Sequence, residues 1–169
     1  MRYSMLAPGC ILMLCLIPLV ALAQGQATIL EPISPTDLIP LNLAPVMAVN
    51  DAGHIMVAWW IKRGDECVVA TAYNAGSGWQ IAEPAALPKG RYDVDLYDMA
   101  WHDGKFALLV HKGGSYVYVW SGGSWGAPME LPKGSAGRYI NFDTDGNLVV
   151  FAFTSGQGTR FMRHAGGEW

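Results

Sequence analysis

From residue 45 onward the chain alternates short apolar runs with clusters of Gly, Asn, Asp and Ser. The runs have the roughly 4–8-residue length of strands, and helical periodicity is almost absent. The stretch from Tyr97 to Pro132, YDMAWHDGKFALLVHKGGSYVYVWSGGSWGAPMELP, shows the pattern in full. It predicts a first strand over Tyr97–Trp101, a tight turn at Asp103-Gly104 and a second strand over Lys105–His111. Asp-Gly tolerates positive φ at both central positions, as a two-residue hairpin requires. Lys112-Gly113-Gly114 turns again, and Ser115–Trp120 supplies a third strand rich in aromatic and β-branched residues. Trp125 opens a fourth, which ends near Pro128 or Pro132.

The same pattern recurs on either side. Upstream, Val46–Val49, His54–Ile61, Cys67–Tyr73 and Trp79–Ala82 read as strands, with a turn at Asn50-Asp51-Ala52-Gly53. Downstream come Tyr139–Phe142, Asn147–Phe153 and Thr159–His164, with a turn at Asp145-Gly146 and a Gly-rich loop at Thr154–Gly158. Two markers, the hairpin glycines (Gly53, Gly104, Gly146) and the fourth-strand tryptophans (Trp79, Trp125, Trp169), repeat at roughly 40–50 residues. The second strands (HIMVAWWI, KFALLVH, NLVVFAF) are apolar at nearly every position, which predicts burial on both faces. The expectation is an all-β fold of propeller-type four-stranded blades, about three of them, over residues 45–84, 96–131 and 138–169.

The third blade stops at Trp169, where a fourth strand should begin. Residues 26–32 (QATILEP) run from apolar residues into Glu-Pro, as Trp79–Pro84 does, and read as a closing strand for that blade. Three blades do not readily close, since propellers take four to eight. Each open blade face has a footprint of roughly 300 Å². Two wet faces forfeit on the order of 15 kcal/mol, as much as a typical domain's whole stability of about 5–15 kcal/mol. The chain is therefore expected to be a partial propeller cut from a longer one, or half of a six-bladed ring closed by a homodimer.

Arg2, the apolar run Cys10–Leu22 and the small residues of Ala21-Leu22-Ala23 predict a signal peptide over residues 1–23. The run is short for a span of about 20 residues; the other reading is an N-terminal membrane anchor. Cleavage would leave 24–169 as one repeat domain, secreted or periplasmic and free of the membrane. Acidic residues outnumber basic ones, 14 to 11, and no basic stripe suited to nucleic acid is present. Past the signal only Cys67 remains, which forms no internal disulfide and reads as a small buried apolar residue.

Ala72-Tyr73-Asn74-Ala75-Gly76-Ser77-Gly78-Trp79 resembles the Asp-box of sialidase-like propellers, Ser-x-Asp-x-Gly-x-Thr-Trp between strands three and four. Asn74, Gly76 and Trp79 match, while Ala72 and Gly78 depart from the pattern; later turns keep Gly122, Ser124, Trp125, Gly166 and Trp169. The resemblance implies a folding device, with a turn side chain holding backbone amides and Trp packed between blades. It implies no catalytic residue: neither an arginine cluster in a recognisable motif nor the Phe-Arg-Ile-Pro element is found. His54, His102, His111 and His164 share no ligand spacing. Asp93, Asp95 and Asp98 fall in one stretch that could hold Ca²⁺, but the EF-hand glycine and spacing are missing and they read as a solvated loop, so no metal or cofactor is expected.

One polar feature repeats. Leu87-Pro88-Lys89-Gly90-Arg91-Tyr92 and Leu131-Pro132-Lys133-Gly134, with Arg138-Tyr139 beyond, place Lys, Arg and Tyr on successive blade-to-blade connections. In a propeller these share a rim with the loops between strands two and three, where Lys62, Arg63, Lys112 and Gln157 fall. Lys89, Arg91, Tyr92, Lys133, Arg138, Tyr139 and Arg63 are thus the candidate ligand residues, suited to a sugar or an anionic group. The other reading is ordinary solvated loops. The expected function is a non-catalytic module binding a glycan or a protein; the alternative is an N-terminal fragment of a sialidase-like glycoside hydrolase. The exported protein should begin at Gln24, and an intact mass that retains residues 1–23 would contradict export.

Overall fold

The computed structural model describes residues 45–63, 66–85 and 95–169. The signal segment and the proposed closing strand at 26–32 lie outside these residues. Twelve strands form three antiparallel sheets, with no helix among the described residues. The first sheet holds β1 (Val46–Val49), β2 (Ile55–Arg63), β3 (Glu66–Asn74) and β4 (Trp79–Ala82) in sequence order. The middle sheet holds β5 (Asp95–His102), β6 (Lys105–His111) and β7 (Ser115–Ser121), with β8 (Ser124–Trp125) and β9 (Met129–Glu130) both paired to β7. The third sheet holds β10 (Ser135–Phe142), β11 (Leu148–Thr154) and β12 (Gly158–His164). The expected fourth strand of the middle sheet is split in two around Pro128, which has no amide to give a ladder.

Turn chemistry decides each register. Asp103 and Gly104 have φ of 44° and 73°, the two-residue hairpin that pairs His102 with Lys105. The β1–β2 and β10–β11 turns are longer and share one device. Asn50 Oδ1 accepts from the His54 amide at 2.8 Å, and Asp143 Oδ1 accepts from the Asn147 amide at 2.8 Å. Asn74 Oδ1 accepts from the Gly76 amide at 2.7 Å, so the Asn of the Asp-box-like turn does hold a backbone amide.

The first strands of neighbouring sheets lie side by side, β1 beside β5 and β5 beside β10, and the three sheets do not close on themselves. Two cores result. Phe106, Leu108, Val110, Tyr118 and Trp120 of the middle sheet pack on Met56, Ala58, Trp60 and Val69 of the first. Ala107, Leu109 and Val117, on the other face, pack on Ile140, Leu148, Val150 and Ala152 of the third. Hence Phe106 through Val110 are all buried. The expectation of double burial holds for β6 alone. In β2 and β11 burial alternates, because those sheets have a described neighbour on one side only.

The tryptophan series follows this order. Trp125 packs between the middle and first sheets, where its Nε1 donates to Thr71 Oγ1 at 2.9 Å. Trp169 packs at the core between the third and middle sheets. Trp79 belongs to the row Val49–Ile55–Asn74–Trp79, on the first sheet's outer face. Its Nε1 is buried and meets no acceptor among the described residues.

Side chains of the middle sheet also receive backbone donors of the third. The Ile140 amide donates to Asp98 Oδ2 at 2.9 Å, and the Gly137 amide to Ser115 Oγ at 2.9 Å. Register shifts at Leu96/Asp98 and Gly137/Tyr139 mark bulges in β5 and β10. The residues inside the two bulges meet: the Arg138 guanidinium lies 4.9 Å from the centroid of the Tyr97 ring. Gly137 keeps this contact close, since a Cβ there would sit 2.8 Å from Leu109 Cδ1 and 3.3 Å from Val150 Cγ1. Trp125→Ala should cost about 3–5 kcal/mol and Gly137→Ala about 1–3 kcal/mol in urea unfolding. Parent-like midpoints for both would contradict the packing of the two cores.

Candidate functional site

The connection from β9 to β10 is anchored by Leu131, buried in the second core, and by its amide, which donates to the Ser115 carbonyl at 2.8 Å. The chain then turns: the Ser135 amide donates to the Pro132 carbonyl at 3.1 Å, and Gly134 takes φ 82°. Lys133 is left at the exposed tip of this turn. The β11–β12 turn sits at the same end of the sheet, since Ser135 pairs with Thr154 and Thr154 with Gly158.

Between the two turns and β12 lies a pocket of about 350 Å³. Lys133, Gln157, Arg160 and Arg163 supply its polar wall, and Phe161, Met162 and Trp169 its apolar one. Strand alternation places Arg160 and Met162 on the side facing the middle sheet, and Phe161 and Arg163 on the outer side. Both sets reach the pocket because β12 is the edge of its sheet, with no described strand beyond it. The Trp169 indole is set edge-on to His164, with ring centroids 5.0 Å apart. Thr154 also lines the pocket, and its Oγ1 is buried without a partner among the described residues.

The three cations differ in charge balance. Arg163 Nε donates to Asp143 Oδ2 at 2.6 Å and its terminal nitrogen to Asp145 Oδ2 at 3.1 Å, so this guanidinium is compensated. Lys133 and Arg160 have no ion-pair partner among the described residues. The pocket lining thus carries three basic side chains and no acidic one. Desolvation pushes the Asp143 carboxyl pKa upward. Hydrogen bonds from the Asn147 amide and side chain, and the bond and charge of Arg163, outweigh that and hold it below the ordinary carboxylate value.

The sequence-derived candidates are distributed as follows. Lys133 lines the pocket. Arg138 lies against Tyr97, and Tyr139 stands in a row with Phe151 and Phe161 on the outer face of the third sheet. Arg63 closes β2 opposite Glu66, its side chain lying outside those described. Lys89, Arg91 and Tyr92 also lie outside the described residues. The pocket adds Arg160, Arg163 and Trp169, which the rim reading did not select. Arg160 and Arg163 sit inside a strand, and they reach the pocket because no described strand lies beyond β12. A strand of type T-R-F-M-R-H, with cations on both faces, was the available signal. No cluster of His, Cys, Asp or Glu among the described residues is arranged to hold a metal, and among the described residues no helix is long and apolar enough to cross a membrane. No protein-family model matches the chain, and no curated protein matches it in sequence.

Asp143 has a depressed pKa in the folded protein, so its contribution to stability is present above the unfolded carboxyl pKa. That contribution is lost as pH falls through the lower, folded value. Carbon NMR titration of the Asp143 carboxyl should give a midpoint below that of a free aspartate, and Asp143→Asn should flatten the acid limb of the stability curve. A midpoint at or above the ordinary value would contradict the Asn147 and Arg163 bonds.

Proposed function

We propose that the chain is an exported, non-catalytic binding module of propeller-type blades, and that its ligand is an acidic carbohydrate. The observation that carries this reading is that Lys133 and Arg160, which have no ion-pair partner among the described residues, stand beside the Trp169 ring in one pocket. A carboxylate or sulfate on a sugar takes charge-assisted hydrogen bonds from Arg, while the apolar face of the ring lies on an aromatic side chain. The pocket volume falls within the range of small-molecule sites, about 300–1,000 Å³. Lys133 and Gln157 come from the two loop classes that a propeller gathers on one rim, which supports the blade reading. Hydrolysis of a glycosidic bond takes a pair of carboxyl groups, and the residues lining the pocket include no Asp or Glu.

Calorimetric titration with glucuronate and with glucose tests the reading. Glucuronate should bind at least about tenfold more tightly than glucose, the factor that about 1.4 kcal/mol of charge-assisted bonding supplies. Its affinity should fall with added salt, and Arg160→Ala should remove the preference. Equal affinity for the two sugars, or turnover of a fluorogenic sialoside by the purified chain, would overturn it.

A further inference from the structure

The large apolar side chains that are exposed among the described residues are Met47, Val49, Ile81, Tyr139, Phe153 and Phe161. Strand register shows where they sit. Met47 pairs with Val57, Val57 with Ala72 and Ala72 with Ile81, one row across the first sheet. Opposed residues of an antiparallel pair share a face. This row is on the face away from the middle sheet, because the alternate row of Ala48, Met56 and Tyr73 packs into the first core. In the third sheet Tyr139 pairs with Phe151 and Phe151 with Phe161. The alternate row of Ile140, Val150 and Met162 packs into the second core, so the aromatic row also points away from the middle sheet. All six exposed residues therefore lie on the two outer faces of the stack, and none lies on the middle sheet.

These faces are not alike. The most exposed apolar side chains of the first sheet's face are aliphatic, Met47 at 66% and Ile81 at 60%, with Trp79 half-buried beside them. The third sheet's face is aromatic, with Tyr139 65% and Phe161 75% exposed. Its rings are canted: Tyr139 and Phe151 are inclined at 51°, Phe151 and Phe161 at 72°. Rings canted to one another present a ridged surface, into which the side chains of an opposing sheet can pack.

We propose that the occupant is a second copy of this chain, with the aromatic face of each copy's third sheet seated on the aliphatic face of the other's first sheet. The repeat supplies the geometric reason. The outer face of the third sheet is the side by which the middle sheet meets the third. The outer face of the first sheet is the side by which the middle sheet meets the first. Placing one on the other repeats the junction already made twice within the chain. Phe161 stands three residues before His164, the β12 counterpart of Thr71 three before Asn74, so Trp79 of one copy comes over Phe161 of the other as Trp125 comes over Thr71. Two such junctions form at once in a two-fold pair. Four faces of roughly 300 Å² bury about 1,200 Å² in total, the lower bound for a specific, stable interface.

Sedimentation velocity on the purified chain, with Met47→Asp and Tyr139→Asp, tests this. Both positions are about two-thirds exposed in the single copy, so the variants keep both cores. Near-ultraviolet circular dichroism verifies that, and Ile81→Asp and Phe153→Asp stand in should either variant not fold. The parent should sediment at twice the mass of the single purified chain. Each variant should raise the dissociation constant at least about 100-fold, since a carboxylate buried in an apolar junction has no partner. A monomeric parent would overturn the proposal. So would a dimer broken by only one variant, because that is the signature of like faces meeting.

Discussion

A sheet covered on both faces cannot alternate apolar with polar positions, and the middle sheet is built under that constraint. Five consecutive residues of β6, Phe106 to Val110, are buried, with even positions serving one core and odd positions the other. The division is also one of size. Phe106, Leu108, Tyr116, Tyr118 and Trp120 face the first sheet, while Ala107, Leu109 and Val117 face the third. Smaller residues on one side bring the third sheet close enough for Gly137 to touch Leu109 and for Ser115 and Asp98 to reach its backbone. On the other side the larger rings hold the sheets apart and polar groups bridge the gap. The Tyr118 hydroxyl donates to the Ala85 carbonyl at 2.5 Å, and burial, helped by neighbouring Tyr116, raises its pKa and keeps it a donor.

The same pair of junctions accounts for what is found at the margins. β10 is an edge strand, and an edge strand with free amides invites wrong pairing. Asp98 and Ser115 take two of those amides, so this edge is closed by side chains rather than by another strand. β12 has no such cover among the described residues, and the pocket with Lys133, Arg160 and Trp169 lies along it. One margin is thus closed by side chains of the neighbouring sheet, and the other borders the pocket.

Much of this was legible in the sequence, because local turn chemistry set it. Asp103-Gly104, Asn50 and Asn74 each fix a turn through their own backbone or side chain, and the strands they join came close to their expected bounds. The spacing of Trp79, Trp125 and Trp169 marked the repeat, and the Asp-box resemblance implied their place between blades, which Trp125 and Trp169 take. The uniform burial expected of β2 and β11 was not found, since composition cannot tell a strand with two neighbours from one with a single neighbour. The site was less legible. Lys133 was visible as a loop cation, but Arg160 and Arg163 read as ordinary strand residues. Arg138 is the extra residue of a bulge, so Tyr139 comes to lie on the face opposite Gly137, an inversion that the sequence pattern does not show.

Each sheet is one uninterrupted segment of chain, and this has a kinetic meaning. The strand pairs are joined by short turns, so contact order within a sheet is low and each hairpin closes at little entropic cost. Synthesis runs in the same direction as the stack. The first sheet is complete before the middle one exists, and the middle one before the third. During that interval Met56, Trp60 and Val69 have no partner sheet, and the nascent chain carries an uncovered apolar face at every stage of its elongation. The order of the sheets along the chain therefore sets the order in which these apolar faces can be covered.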